Sequence, residues 1–284
     1  MRVRILGTGG GCPGPGRFGP GFLIETSRDR ILLDCGSGIA GQLLAVCDLD
    51  DLDAIVLTHL HADHIVDVVT IAYGLLNRAQ AADAKPSKQI PLYIPRGEAA
   101  ALRAISAAFG HPSWKLRDVL GASPAYQQLV EETARIGDPL FALLPPTEYD
   151  PDGEFTIGDC RFVTRSMRHG PTTAALRITS EDVTFVYSGD TSPTPALAEI
   201  AANADLFLCE AMASPIGPRF YDSHITPGEA GAVAQQAGIR RLILTHLSPF
   251  ANEAHVLHDA QRSFAGSVSL AREGDIFELG AATA

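Results

Sequence analysis

Short apolar stretches alternate along the chain with longer segments whose apolar residues recur at helical spacing. Fully apolar runs predict buried strands at 54–57, 206–209 and 242–244. Alternating or partly apolar stretches predict further strands at 3–6, 22–25, 30–34, 92–94, 155–157, 160–165, 174–178 and 184–187. Periodicity and end signals predict helices at about 39–46, 64–79, 98–109, 195–202, 226–237 and 253–264, with a final strand after 266. Strands that alternate with helices indicate an α/β protein.

Two segments interrupt this alternation. Residues 7–19 are rich in glycine and proline, which predicts an irregular loop. Residues 111–150 combine several prolines, Trp114 and short helical fragments, and they follow a polar, alanine-rich connection at 80–90. Long irregular segments within compact domains are often functional. We therefore expect a single domain over residues 1–284, with a cap or lid inserted within about 80–150.

A weak internal repeat predicts how these elements are layered. Residues 55–60 read Ile-Val-Leu-Thr-His-Leu, and residues 242–247 read Leu-Ile-Leu-Thr-His-Leu. Each copy is an apolar strand that ends in Thr-His-Leu. Two related halves, each delivering polar side chains from strand ends to one edge, would form a four-layer αββα sandwich.

The most informative polar stretch follows the apolar run at 54–57. Residues 58–64 read Thr-His-Leu-His-Ala-Asp-His, which brings together His59, His61, Asp63 and His64. Neutral imidazole and carboxylate are the ligands that zinc and its neighbours in the first transition row favour. A lone histidine, or a pair two residues apart, is common without a metal, whereas this combination after a buried strand is rare. We interpret the motif as part of a metal site at a strand end.

Three further ligand candidates each follow an apolar strand. They are His169, which precedes a Gly-Pro pair, Asp190, which lies in a Ser-Gly-Asp-Thr turn, and His246, which lies in the second Thr-His-Leu copy. Each alone has a structural explanation, since a strand-end aspartate often caps the next helix. Together with the first motif they supply five imidazoles and two carboxylates. That set is large enough for two metals with positions left open for water and substrate.

The composition narrows the class of partner. The 284 residues carry a net charge of −11, and no window holds a dense run of lysine or arginine. Nucleic-acid polymers are bound through such basic patches, so we expect a small-molecule substrate and no nucleic-acid polymer. The N-terminal strand lacks the apolar core of a signal peptide, and no apolar run is long enough for a membrane span. The widely spaced cysteines give no disulfide framework, so we expect a cytoplasmic protein.

These residues together resemble a metallo-β-lactamase-fold hydrolase, and they are most similar to its ribonuclease Z-like and cyclic-nucleotide-phosphodiesterase-like branch. The matching segments are LGTGGG at 6–11, LLDCGSG at 32–38, THLHADH at 58–64, the histidine at 169, SGDT at 188–191 and LILTHL at 242–247. They extend over nearly the whole chain. The combination is specific for the fold and for a two-metal site, and it says little about the substrate.

The resemblance implies how the seven ligand candidates divide. One metal would be held by His59, His61 and His169. The other would be held by Asp63, His64 and His246. The seventh residue, Asp190, would bridge the two metals. Zinc is the usual metal in such enzymes, and manganese or iron also occur.

The resemblance also implies residues that act beside the metals. The sequence His224-Ile225-Thr226 matches the His-Ser-Thr box of ribonuclease Z, whose histidine contacts the substrate phosphate or protonates the leaving oxygen. The alternative for His224 is a hydrogen-bonded histidine near a helix start. We count Asp63 and His224 as catalytic. We interpret Asp34 and Glu210, which also end strands, as partners that orient ligating imidazoles.

Two departures from the family pattern refine this prediction. Members that process tRNA insert a long arm, which grips the tRNA, between the third histidine and the bridging aspartate. Here Asp190 follows His169 by only 21 positions, so no arm fits. The family usually has glycine three residues after the last histidine of the first motif. This chain has Asp67 there, so we expect the first long helix to enter differently.

We therefore predict a dinuclear metal-dependent hydrolase with two divalent cations, zinc first among them, and a shared hydroxide as the nucleophile. The expected substrate is a small phosphodiester, with cyclic nucleotides included. The alternatives are a lactone, ester or thioester substrate at the same metals, a tRNA 3′-processing endonuclease, and a non-catalytic binding module. Homodimerisation is an expectation from the family resemblance alone.

Overall fold

Two mixed β-sheets pack face to face in the computed structural model, which describes residues 1–80, 88–109, 123–212 and 223–280. The strands of the first sheet are β1 (Arg2–Gly7), β2 (Gly21–Glu25), β3 (Arg30–Leu33), β4 (Ala54–Val56), β5 (Leu92–Pro95), β6 (Pro146–Tyr149) and β14 (Ile276–Glu278). Their spatial order is β14-β1-β2-β3-β4-β5-β6. The part from β3 to β6 is parallel, so its strands end at one common edge.

The second sheet repeats this plan. Its strands are β7 (Glu154–Ile157), β8 (Cys160–Ser166), β9 (Ala174–Ser180), β10 (Val183–Tyr187), β11 (Leu206–Glu210), β12 (Arg241–Thr245) and β13 (Ser267–Leu270). Their spatial order is β13-β12-β11-β10-β9-β8-β7. The four strands from β10 to β13 are parallel, and β7, β8 and β9 pair antiparallel. Each sheet therefore has a parallel part whose strand ends deliver side chains to one edge.

Helices cover the outer face of each sheet. Those on the first sheet are α1 (Ile39–Leu44), α2 (Ala62–Ala79), α3 (Ala99–Phe109), α4 (Pro124–Ile136) and α5 (Pro139–Leu143). Those on the second sheet are α6 (Pro195–Ala201), α7 (Pro227–Gln236) and α8 (Glu253–Ser263). A third apolar core fills the space between the two sheets. The predicted four-layer αββα sandwich is confirmed.

The helix that carries the first motif begins close to its predicted start. Helix α2 begins at Ala62, two residues before His64, with His61 at its N-cap. The departure at Asp67 has a structural consequence. Its carboxylate accepts a hydrogen bond from the backbone N–H of Ala40 at 2.9 Å, while its own N–H donates to the carbonyl of Cys35 at 3.1 Å. Asp67 thereby fixes α2 against the first turn of α1.

The segment 80–150 contains more regular structure than the sequence predicts. Helices α4 and α5 pack against α2 within the first core, and β6 forms an edge strand of the first sheet. Residues 81–87 and 110–122, which include Trp114, lie outside the described residues, so a cap over the site stays a prediction. The end of the chain also differs from the prediction, because two strands, β13 and β14, follow α8 instead of one.

Candidate metal centre

The strand ends of both sheets meet at one edge. In the first sheet, β3 is followed by Asp34, and β4 leads into the Thr-His-Leu-His-Ala-Asp-His loop. In the second sheet, Asp190 lies just beyond β10, Glu210 ends β11, and His246 follows β12. The apolar runs fix the strands inside the sandwich, and the first polar residue after each run lies at the rim of the core.

One group of ligand atoms comes from His59, His61, His169 and Asp190. One imidazole nitrogen or carboxylate oxygen from each of the four lies within 4.8 Å of all the others. Nε2 of His169 lies 3.0 Å from Nδ1 of His61, and Nε2 of His59 lies 3.7 Å from Oδ2 of Asp190. This is the first set of three predicted ligands together with the predicted bridge.

A second group comes from Asp63, His64 and His246. Their ligand atoms also lie within 4.8 Å of one another. Nε2 of His246 lies 3.2 Å from both Nε2 of His64 and Oδ2 of Asp63. Nitrogens that converge this closely must share a proton or a cation, because the lone pairs of two neutral imidazoles repel each other.

Asp190 lies between the two groups. Its Oδ1 is 3.4 Å from Nε2 of His64, and its Oδ2 is 3.4 Å from Nε2 of His246 and 3.8 Å from Nε2 of His169. The side chain is almost fully buried at 1% exposure. One carboxylate therefore faces imidazoles of both groups, as a bridging ligand would.

Unsatisfied polar atoms show that this donor set fits bound cations. Within the described part of the chain, Nε2 of His59, Oδ1 of Asp190 and Nδ1 of His246 are buried without a hydrogen-bond partner. A buried polar atom without a partner is costly, and native proteins rarely contain one. Imidazole nitrogen and carboxylate oxygen are the ligands of divalent transition metals. The cluster is thus composed as a divalent metal site, and the assignment of each side chain as a ligand stays a prediction.

A buried carboxylate holds the second group in place. Oδ2 of Asp34 accepts hydrogen bonds from Nδ1 of His64 at 2.8 Å and from the hydroxyl of Tyr187 at 3.0 Å. Its Oδ1 accepts the backbone N–H of Thr58 at 2.8 Å. A carboxylate on one imidazole nitrogen fixes the ring and directs the other nitrogen toward the metal. Asp34 therefore fixes the imidazole of His64, and the role of that imidazole as a metal ligand stays a prediction.

Glu210 contacts the imidazole of His224. Its two carboxylate oxygens lie 2.9 and 3.1 Å from Nδ1 of His224, whereas Nδ1 of His246 is 3.9 Å away, beyond hydrogen-bond distance. The prediction that Glu210 orients a metal-ligating imidazole stays a prediction, and the imidazole that it holds is that of His224. Strand spacing does not predict this contact, because His224 lies between β11 and α7 and ends no strand.

His224 lies beside the metal ligands. Its ring centroid is 5.0 Å from that of His169 and 5.6 Å from that of His246. Asp190, His224 and His246 also form a group of ligand atoms within 4.8 Å of one another, so the geometry allows His224 as a ligand too. Burial acts to lower its pKa, but the hydrogen bond and charge of Glu210 outweigh burial and raise the pKa above its usual value.

Burial and neighbouring charges shift the pKa values of several groups in the cluster. Burial, and then the charge of His64, holds the pKa of His59 well below its usual value. For His64, burial acts in the opposite direction to the carboxylates of Asp190 and Asp34, which prevail and raise its pKa well above the usual value. Burial likewise opposes ionisation of Asp190, yet the charges of His246 and His64 hold its pKa well below the usual value. A negative charge is thus stabilised at Asp190, where a bridging ligand needs one.

The glycine-rich loop at 7–19 has a contact that the sequence did not predict. The backbone N–H of Gly11 donates to Oδ2 of Asp63 at 2.8 Å. A side chain at Gly10 would place its Cβ 2.6 Å from Nδ1 of His246, so only glycine fits there. The cluster of glycines was the available signal, since glycine allows a backbone to approach other groups closely. The loop therefore belongs to the site.

The described residues contain no helix with the length and apolarity that crossing a bilayer requires.

A family model described as a beta-lactamase superfamily domain matches residues 29–247. The chain is 27% identical over 278 residues to the probable metallo-hydrolase YhfI of Bacillus subtilis, with 98% of this chain and 100% of the relative covered. It is 30% identical over 266 residues to a ribonuclease Z of Mycobacterium bovis BCG, with 88% and 86% covered.

Two crystal structures show the same fold. That of Bacillus subtilis YhfI has a TM-score of 0.77 at 24% identity, covering 98% of this chain and 99% of the other. That of a diphosphatase from the PhnP family has a TM-score of 0.71 at 16% identity, covering 98% of this chain and 97% of the other. The similarity thus extends over both sheets and is not confined to the histidine motif.

Proposed function

The chain belongs to the beta-lactamase superfamily and is a metal-dependent hydrolase, and we propose that its substrates are small phosphodiesters, with cyclic nucleotides first among them. The observation that carries the proposal is the position of Asp190 between two groups of ligand atoms, with the His224–Glu210 pair beside them. Hydrolysis of a phosphodiester requires neutralised phosphate oxygens, an activated water and a proton donor for the leaving oxygen. The cluster contains residues suited to each.

We propose that the site holds two divalent cations, zinc in the first instance. One cation would be held by His59, His61 and His169, and the other by Asp63, His64 and His246. Asp190 would contact both cations. The chemistry of the donor atoms supports this assignment. Bound cations of this kind supply Lewis acidity and lower the pKa of a coordinated water.

The protein's own groups would orient and protonate the substrate. Glu210 fixes Nδ1 of His224, so a proton delivered to the leaving oxygen would come from Nε2 of His224. The raised pKa of His224 supports this role, because a general acid must be protonated at neutral pH. Gly11 and His246 both contact the carboxylate of Asp63, which fixes it at the rim of the second group.

The names of similar proteins support a phosphoester substrate. One relative is named ribonuclease Z, and one structural neighbour is a diphosphatase. The short interval of 21 positions between His169 and Asp190 and the net charge of −11 favour a small substrate over tRNA.

The test is a substrate panel run on protein loaded with a defined metal. The panel contains 3′,5′- and 2′,3′-cyclic nucleotides, a cyclic dinucleotide, bis(p-nitrophenyl) phosphate, a lactone, a thioester and a precursor tRNA. We expect a higher kcat/KM for at least one cyclic nucleotide than for the lactone, the thioester or the tRNA. Lactone or thioester turnover without phosphodiester turnover would overturn the proposal and favour the carbon-ester alternative. The Asp190→Asn variant, purified in parallel, controls for contaminating phosphodiesterases.

A further inference from the structure

The loop that follows His246 carries an aromatic side chain with very little protein around it. Phe250 is 92% exposed, whereas the next most exposed large apolar side chain among the described residues, Leu44, is 57% exposed. Isolated exposed apolar residues are common, but one this exposed contributes nothing to the core. Its position, four residues beyond His246, makes it a neighbour of the proposed metal centre.

A turn accounts for this exposure. The backbone N–H of Ala251 donates to the carbonyl of Ser248 at 2.9 Å, so residues 248–251 form a turn with Phe250 at its third position. The Phe250 N–H also contacts Oγ of Ser248 at 3.3 Å. Because central residues of a turn lie at its outer corner, the ring projects from the loop. Phe250 follows His246 by four positions, so the two Cα atoms lie within about 14 Å of each other.

The loop is braced against the glycine-rich segment. The N–H of Leu247 donates to the carbonyl of Thr8, and the carbonyl of Leu247 accepts from Gly10, both at 3.0 Å. Pro249 packs so closely on Gly14 that an added Cβ there would lie 2.9 Å from the proline Cβ. The same glycine-rich segment donates to Asp63 through Gly11. The backbone that leads into Phe250 is therefore anchored to the same glycine-rich segment that contacts Asp63.

We propose that Phe250 is a stacking platform for the nucleobase of the substrate. This inference rests on the proposed function and narrows it from phosphodiesters in general to those that carry a base. A base stacked on an aromatic ring gains affinity without any hydrogen-bond readout. A phosphate at the metal centre leaves the rest of a nucleotide to extend toward the rim, where the ring faces solvent. An acidic protein gains from such a contact, because stacking requires no positive charge.

The test compares two phosphate ligands that differ only in the base. Titration calorimetry on zinc-loaded protein would measure the Kd of AMP and of ribose 5-phosphate. For Phe250→Ala we expect the Kd of AMP to rise about tenfold, within the range that one stacked base contributes, with the Kd of ribose 5-phosphate unchanged. Phe250→Trp should restore AMP binding. Phe109→Ala is the matched control, since Phe109 is also exposed, at 50%, and lies at the far end of α3.

Binding is measured without turnover, so this test is independent of the substrate panel. A wild-type protein that binds AMP no better than ribose 5-phosphate would overturn the stacking proposal even if it hydrolyses phosphodiesters. Preferential AMP binding that Phe250→Ala abolishes would support it even if the panel identifies another bond as the one cleaved. Sedimentation velocity tests the other explanation for the exposed ring, which is that Phe250 forms a contact between subunits. If Phe250→Ala dissociates a dimer and leaves AMP binding unchanged, the ring serves a subunit contact and the proposal fails.

Discussion

Replacing Asp190 with asparagine should remove nearly all hydrolysis and lower the amount of bound metal. The carboxylate faces His64, His246 and His169 at 3.4 to 3.8 Å, so one substitution affects both groups of ligand atoms. Asparagine keeps the shape and loses the charge that neutralises a bound cation. A bound metal stabilises the transition state by several kcal/mol, so its loss corresponds to a fall in kcat of about 10³ or more. Activity on the preferred phosphodiester and metal content by elemental analysis would be measured on the same preparation.

The matched control for this experiment is Asp182→Asn. Asp182 is an exposed aspartate in the turn before β10, eight positions earlier in the chain. It should leave both metal content and turnover at the wild-type level. If Asp190→Asn instead retains full metal and full turnover while folded, as judged by circular dichroism, Asp190 is not a bridging ligand and the assignment of the seven residues is wrong.

Replacing His224 with alanine should lower turnover while the metal stays bound. Removal of a general acid typically costs about 10² to 10⁴ in rate. The contacts of His64 with Asp34 and of His246 with Asp63 do not involve His224, so both groups of ligand atoms should remain intact. The loss should be smaller for a diester with a good leaving group, such as p-nitrophenolate, because that oxygen needs no proton. The measurement compares kcat for the two kinds of substrate and metal content in one preparation.

Two further variants distinguish acid catalysis from metal binding. Glu210→Gln should lower turnover with metal retained, since Nδ1 of His224 then loses its charged partner. His258→Ala, an exposed histidine of α8, should change neither quantity. If His224→Ala loses as much metal as Asp190→Asn, His224 is a ligand, as its proximity to Asp190 and His246 also allows, and its proposed role as proton donor is wrong.

The fold is largely predictable from the sequence because each strand is marked by a local pattern of apolar residues. Apolar runs such as 54–57 and 242–244 cannot be exposed, and the first polar residue after each run marks the end of a strand. The contacts between strands could not be read in the same way. The hydrogen bond from Tyr187 to Asp34 joins the two sheets, and it depends on how they face each other. No spacing along the chain encodes it.

Residues 123–149 are more regular than their prolines indicate. Prolines and short helical fragments predict an irregular segment, but Pro124 and Pro139 occupy the first turns of α4 and α5, where proline loses no hydrogen bond. Ser123 and Asp138 cap these helices through their side chains. Proline, serine and aspartate occur at helix starts as well as in loops. Here it is the packing of apolar residues against α2 that makes these segments helical.

Metal titration of the stripped protein tests the central claim most directly. Zinc would be added stepwise to chelator-treated protein, with native mass spectrometry reporting the metals per chain and a phosphodiester assay reporting activity at each step. We predict that binding saturates at two cations per chain and that hydrolysis rises with their occupancy. Saturation at one cation or none, or hydrolysis that is undiminished in the stripped protein, would contradict a catalytic two-metal centre at this edge of the sandwich.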